Sequence, residues 1–359
     1  VSSVRALPPT GSGDQGRYRV AILGGSGYAG GEFLRLALAH PDLEVVQVTS
    51  ERYAGWPVGA VHPNLRGVCD LRFVSADALE PADVLVSALP HGTLANRIDT
   101  VLPLAPHLID LSSDFRFRDP ALYARTYAEP HPRPELLDSF VYALPERRRE
   151  ELRSARRIAG AGCIATAATL ALAPLVDAGA ITRSDVVVEA KVGSSAAGHS
   201  PNLASHHPER AGVVRTYAAT GHRHGPEIEQ SLPGGVRVHL SASAVERVRG
   251  ILVTAHVWLH DGSSERDVRA AFQDAYADEP FVRLITQRSG IHRVPDPKIL
   301  DGTNWCDIGW SLDADSGRVV VMAAIDNLVK GTAGHAIQAL NLALGRDERS
   351  GLSFSGLHP

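Results

Sequence analysis

The sequence predicts an α/β protein, with a doubly wound parallel sheet in its first part and a second, α+β domain after it. Three observations carry this expectation. The chain has 359 residues, room for roughly two domains at about 150 residues each. Its first part holds short, continuous apolar runs separated by helical periods, the pattern of parallel strands covered on both faces. Beyond residue 160 the pattern changes to longer strand-like runs separated by loops.

Residues 1–17 carry Pro8, Pro9, Gly11, Gly13 and Gly16 and no apolar stretch of signal-peptide length, so they read as a flexible lead-in with no export implied. Tyr18–Leu23 is an apolar strand, and Gly24-Gly25-Ser26-Gly27-Tyr28-Ala29-Gly30 follows it directly. A helical period then runs through Phe33, Leu34, Leu36, Ala37 and Leu38. Strand, glycine turn and helix open a βαβ unit, and Leu43–Thr49, 84–88 and 108–111 supply further strands. A Rossmann-type domain over 18–160 follows.

The uncharged run 158–176 approaches membrane-spanning length, but Gly160, Gly162, Thr166, Thr169 and Pro174 interrupt it. It reads as a buried helix with a special start. The second domain, expected over 161–331, takes its strands from 186–192, 236–242, 251–259 and 319–325, and a helix from Glu265–Tyr276. A terminal helix over 332–345, with Thr332 as N-cap and Gly345 as terminator, is expected to return to the first domain.

A net charge of −4 gives no global basic field, which argues against nucleic acid as a general partner. No segment argues for a membrane. Cys69, Cys163 and Cys306 are too far apart for a disulfide framework or a Cys-x-x-Cys metal knuckle. A reducing, cytoplasmic setting and no metal are the expectation.

Two sets of residues point to chemistry. Ser26, Gly27, Tyr28 and Ala29 lie in the glycine turn, where backbone amides approach a pyrophosphate at a helix start. At the end of the second strand, Glu51 suits a ribose hydroxyl of NAD, whereas Ser50 and Arg52 suit the 2′-phosphate of NADP. Cys163 opens a run of helix formers after Gly160-Ala161-Gly162, and a thiol at a helix N-terminus gains thiolate character. The amide of Ile164 is positioned by the same turn to face an oxyanion on a carbonyl attacked by the sulfur. His222 and His224, in Gly221-His222-Arg223-His224-Gly225, offer a general acid or base with a neighbouring cation.

Together these residues resemble the N-acetyl-glutamyl-phosphate reductase family, within the group of semialdehyde dehydrogenases that act through a cysteine. Beyond 24–30, the resemblance rests on Ala88-Leu89-Pro90-His91-Gly92, Asp110-Leu111-Ser112-Ser113-Asp114-Phe115-Arg116, Gly162-Cys163, His222-Arg223-His224 and Ile325-Asp326-Asn327-Leu328-Val329-Lys330-Gly331. It implies a glyceraldehyde-3-phosphate-dehydrogenase-like pairing of an NADP domain with a catalytic and dimerisation domain, and hence a homo-oligomer. It implies that Ser26 to Ala29 hold the pyrophosphate, Ser50 and Arg52 the adenosine end, Asn327 the nicotinamide side, Cys163 the acyl group and His222 the catalytic proton, with His224 as rival.

Within the family, Cys163-Ile164-Ala165-Thr166 and Ser195-Ala196-Ala197-Gly198-His199 differ from the arginine-pathway pattern. With Ser205-His206-His207-Pro208-Glu209-Arg210 and the tail Gly356-Leu357-His358-Pro359 they look like the lysine-biosynthetic branch. That branch reduces the acyl phosphate of 2-aminoadipate whose amino group is tied to a small acidic carrier protein. Arg210, Arg215, Arg223 and the stretch Arg147 to Arg157 are the candidate docking cations. An acetylated glutamyl substrate of arginine synthesis, and a non-catalytic NADP sensor, are the alternatives.

Overall fold

The computed structural model describes residues 16–358, so the lead-in expected over 1–17 lies outside the described residues except for its last two positions. The chain forms two compact units. The first comprises the chain up to Arg118 with His131–Gly160 and Ala336–Leu352; the second comprises Asp119–Pro130, Ala161–His335 and the tail from Ser353. The helix Pro120–Tyr127, placed in the first domain by the sequence reading, therefore groups with the second unit.

Seven strands build the first unit: β1 Tyr18–Leu23, β2 Leu43–Thr49, β3 Phe73–Val74, β4 Val84–Ser87, β5 His107–Asp110, β6 Val141–Ala143 and β7 Arg157–Gly160. Their order is β3-β2-β1-β4-β5-β7-β6, with every neighbouring pair parallel. β1 is central, and Val20, Ala21 and Ile22 are wholly buried, which is why its sequence is a continuous apolar run rather than an alternating one. The chain leaves β1 toward β2 and returns on the other side as β4, so a crevice opens beyond the C-terminal ends of these strands. On one face, Leu23, Leu85, Leu94, Ile98 and Leu108 pack with Phe115 and Phe140, whose rings stack at 4.0 Å. Burial of each such side chain contributes about 1.5–3 kcal/mol.

The second unit holds β8 Asp185–Val192, β9 Val214–Ala218, β10 Arg237–Val245, β11 Ile251–Trp258, β12 Val282–Leu284, β13 Cys306–Asp313 and β14 Arg318–Ile325. They form one mixed sheet in the order β12-β13-β14-β11-β8-β10-β9. β11 alternates: Ile251, Val253, Ala255 and Val257 are buried, and the residues between them are half-buried. The helix Cys163–Asp177 lies against β11 and β14 and is buried from Ile164 to Val176. Pro174 lacks the N–H that the Leu170 carbonyl would accept in a regular helix. The Tyr276 hydroxyl donates to that carbonyl at 2.7 Å and restores the missing bond.

The terminal helix begins later than its sequence suggests. Thr332 does not cap it; its hydroxyl donates to the Asn327 carbonyl at 2.7 Å, inside a π turn over Val329–Ala333, and the helix runs Gly334–Ala343. Among the described residues, no helix is long and apolar enough to cross a membrane.

Candidate active site

In the first unit the glycine turn joins β1 to the helix Tyr28–Leu38. A Cβ at Gly25 would lie 2.1 Å from Val48 Cγ1, and one at Gly30 would lie 2.7 Å from Gly25 Cα. Neither position has room for a side chain, so the turn presents backbone alone. Gly27 is the N-cap and offers no side chain to the first amides; the first turn carries no acidic residue. Those N–H groups suit an anion. The residues present therefore fit a dinucleotide pyrophosphate.

The adenosine end is set by Ser50, whose hydroxyl lies 2.9 Å from that of Ser26. Arg52 is exposed, its guanidinium 5.2 Å from the centre of the Tyr53 ring. Glu51 accepts the Ala76 N–H at 2.8 Å through one carboxylate oxygen. His62, which the sequence reading passed over, bonds the Gly25 carbonyl at 2.8 Å and packs on Gly31.

Beyond β4 and β5, the two family-like loops lock together. Asp114 accepts the N–H groups of Gly92 at 2.6 Å and Ala95 at 3.0 Å, at the start of the helix Thr93–Val101. His91 Nδ1 lies 2.9 Å from both Asp114 Oδ1 and the Ser113 hydroxyl. Asp110, wholly buried, is pushed up to about 7 by burial and by the Asp114 charge, although Ser112 bonds it through both N–H and hydroxyl.

In the second unit Cys163 is the first residue of its helix and half-buried, whereas Cys69 and Cys306 are buried. The turn before it is fixed from two sides. Glu227, fully buried, accepts the Gly162 N–H at 2.7 Å, and His335 Nε2 accepts the Ala161 N–H at 3.1 Å. The other ring nitrogen of His335 bonds the Lys330 carbonyl at 2.9 Å, which assigns its tautomer. Gly331 abuts the nucleophile, since a Cβ there would lie 2.7 Å from Cys163 Cβ. Neither Glu227 nor Gly331 was singled out from sequence.

His222 Nδ1 accepts the backbone N–H of His224 at 3.1 Å, so its neutral ring carries the proton on Nε2. Burial, aided by the Arg223 charge, lowers it to about 4. His224 is buried, with Nε2 3.8 Å from Glu227 Oε2. Tyr217, also unforeseen, lies with its ring 6.0 Å from that of His222, and its phenol is pushed up to about 12 by burial and by charge on Cys163. Thiol, imidazole and phenol thus share one corner of the unit, with a helix N-terminus aimed at it.

Asn327 is buried. Its carbonyl oxygen accepts the Gly250 N–H at 2.7 Å and its amide donates to Ser195 at 2.9 Å. The preceding Asp326 accepts the N–H groups of Gly302 and Leu328 and pairs with Arg249. Among the docking candidates, Arg210 turns inward to donate to the Val192 and Val245 carbonyls. Arg148, Arg149 and Arg153 are paired with Glu151, Glu348 and Glu150. Among the described residues no three His, Cys, Asp or Glu side chains group as metal ligands.

Residues 19–155 match the semialdehyde dehydrogenase NAD binding domain, and residues 163–327 the semialdehyde dehydrogenase dimerisation domain. The [LysW]-L-2-aminoadipate 6-phosphate reductase of Deinococcus radiodurans is 58% identical over 340 residues, 95% of this chain and 98% of that protein. The [LysW]-L-2-aminoadipate/[LysW]-L-glutamate phosphate reductase of Saccharolobus solfataricus is 44% identical, over 96% and 99% of the two chains. Among solved structures, aspartate semialdehyde dehydrogenase II of Vibrio cholerae aligns at TM-score 0.69 and 15% identity, over 92% of this chain and 99% of that one. The Candida albicans aspartate semialdehyde dehydrogenase with NADP aligns at TM-score 0.67 and 14% identity, over 91% and 98%.

Proposed function

The chain belongs to the semialdehyde dehydrogenase family, and from that premise we propose that it reduces the 6-phosphate of a carrier-linked 2-aminoadipate to the semialdehyde, with NADPH as reductant and release of phosphate. The names of its relatives supply the substrate class; the arrangement around Cys163 supplies the chemistry. The match to a dimerisation domain supports self-association.

Ser26, Gly27, Tyr28 and Ala29 hold the pyrophosphate, and Ser50 and Arg52 the 2′-phosphate, on the geometry of the first unit. NADPH, when bound, supplies the hydride. Asn327 enters through the loop it fixes against Gly250 and Ser195.

Cys163 is the nucleophile. Its thiolate, favoured by the helix N-terminus, attacks the acyl-phosphate carbon; the carbon–oxygen bond breaks and phosphate leaves with the electron pair, giving a thioester. Hydride reduces the thioester carbon, and the resulting thiohemiacetal releases the aldehyde as the carbon–sulfur bond breaks and the thiolate returns. Oxygen bears negative charge in both tetrahedral species. The Ile164 N–H and the Nε2–H of His222 are the donors for it, and the neutral His222 ring holds its proton on Nε2 because Nδ1 accepts the His224 N–H. His222 is preferred to His224, which is buried against Glu227.

The observation that carries this reading is the braced nucleophile: a half-buried thiol at a helix start whose preceding amides are bonded by Glu227 and His335. Cys163→Ala is expected to bind NADPH as the native enzyme does and to lose phosphate-dependent oxidation of the semialdehyde. Substrate is also expected to protect Cys163 from iodoacetamide. Substantial turnover by the variant would overturn the assignment.

A further inference from the structure

The second unit contains a cleft of about 360 Å³ that His222 helps to line and whose other residues have no part in the reaction described above. Its lining includes the apolar Leu122, Val238 and Leu240 and the cationic Arg125 and Arg223. Arg125 stands in the last turn of the helix Pro120–Tyr127, the segment that groups with this unit although its sequence neighbours do not. Both arginines are exposed, and among the described residues neither is in an ion pair. The one carboxylate in the lining, Glu229, accepts the Val238 N–H at 2.8 Å, and two guanidiniums against one carboxylate leave the lining with a net positive charge. The cleft therefore brings two guanidiniums, three aliphatic side chains and the proposed proton donor into one lining.

A 2-aminoadipate 6-phosphate substrate has a matching shape. It reacts at carbon 6, runs through methylenes, and carries at its other end a 1-carboxylate that the amide link leaves charged. The aliphatic lining residues suit the methylenes, and a carboxylate taken from water needs a guanidinium partner. A volume of this size also has room for part of the residue to which the amide is joined.

We infer that this cleft binds the 1-carboxylate of the N-linked substrate, with Arg125 and Arg223 as its partners and Arg125 as a determinant of specificity. The inference rests on the proposed function and names a subsite of that same reaction. Arg125 lies outside the thiol and imidazole cluster, so it sets binding of the substrate rather than the rate of its reduction.

The test is steady-state oxidation of the carrier-linked semialdehyde by the native enzyme and by Arg125→Ala and Arg125→Lys. A second substrate, with the 1-carboxylate replaced by a carboxamide, completes the cycle. Arg125→Ala is expected to raise KM for the carboxylate substrate by about 10–100-fold and to change kcat by less than about threefold, with partial recovery in Arg125→Lys. The carboxamide should cost the native enzyme a similar factor and should cost Arg125→Ala almost nothing further. NADPH affinity and Tm should stay at native values. A KM within twofold of native in Arg125→Ala, or equal losses on both substrates, overturns the inference and leaves the proposed function standing. Failure of the native enzyme to turn over the carrier-linked substrate overturns both.

Discussion

Gly331→Ala places one methyl group against the nucleophile. Its Cβ would sit 2.7 Å from Cys163 Cβ and 3.2 Å from both Cys163 Cα and Ile325 Cδ1, whereas ordinary contact begins at 3.4 Å. The shortfall is 0.7 Å at the tightest contact. The opposing atoms are the root of the cysteine rather than the tip of a flexible side chain, so rotation of χ1 gives no relief. The Cys163 helix is also held in place, by Glu227 through Gly162 and by His335 through Ala161. Gly331 is tied in turn by its N–H to the Asp326 carbonyl at 2.9 Å. Overpacking of this kind costs about 1–3 kcal/mol of stability. A reacting atom displaced by about 1 Å loses on the order of 10²-fold in rate, so a shift somewhat smaller than that should cost about 10–100-fold in kcat. The assay is phosphate-dependent aldehyde oxidation, alongside the rate of Cys163 alkylation by iodoacetamide and a thermal melt. Expected are a lower kcat, an altered alkylation rate and a lower Tm, with NADPH affinity unchanged. A variant with kcat within threefold of native would show that the π turn absorbs the methyl group, and the claim that Gly331 fixes the thiol would fall.

Two other predictions concern proton and cofactor. His222, ordinarily near 6.5, is lowered to about 4, and protonation there falls on Nδ1 and breaks its bond from the His224 N–H, so an acid limb of kcat/KM due to misplacement of this ring should appear near 4; a limb near 6.5 would refute the neutral ring. Arg223→Ala should move that limb upward, and stability should fall as pH drops from 6.5 toward 4, because the unfolded chain binds the proton that the folded ring refuses. Arg52→Ala should weaken NADPH about tenfold and leave NADH unchanged, measured by nucleotide fluorescence; equal losses on both would show that Arg52 does not read the 2′-phosphate.

What the sequence made legible was local. A continuous apolar run marks β1 and β4 because both of their faces are covered, and a strand-like run marks β11, whose alternation of buried and half-buried residues the structure adds. The thiol was conspicuous because small residues precede it and helix formers follow. What escaped was held by partners far along the chain. Glu227 looks like an unremarked acid in a short loop helix until its bond to Gly162, 65 positions away, is seen. Tyr217 lies on a strand with no strong apolar pattern, and Gly331 shows its purpose only when its lost Cβ is placed against Cys163. Thr332 misled for the same reason: its hydroxyl satisfies the Asn327 carbonyl instead of the helix start that local preference assigns to it. Arg210 likewise has the composition of a docking residue and the contacts of a structural one.

The chain passes between the two units five times. Neither unit is thus a continuous stretch of polypeptide, and no truncation yields a whole one. The first unit is completed only by Ala336–Leu352, where His40 meets Asn341 and where Ile337 and Leu340 are fully buried. At synthesis rates of about 5–20 residues per second, roughly 10–35 s separate Gly160 from that closing segment. During this interval the newborn nucleotide-binding unit stands without its final helix. Its completion is thereby timed by translation of the unit that bears Cys163, and a chain terminated between Gly160 and Ala336 lacks the segment that closes the first unit.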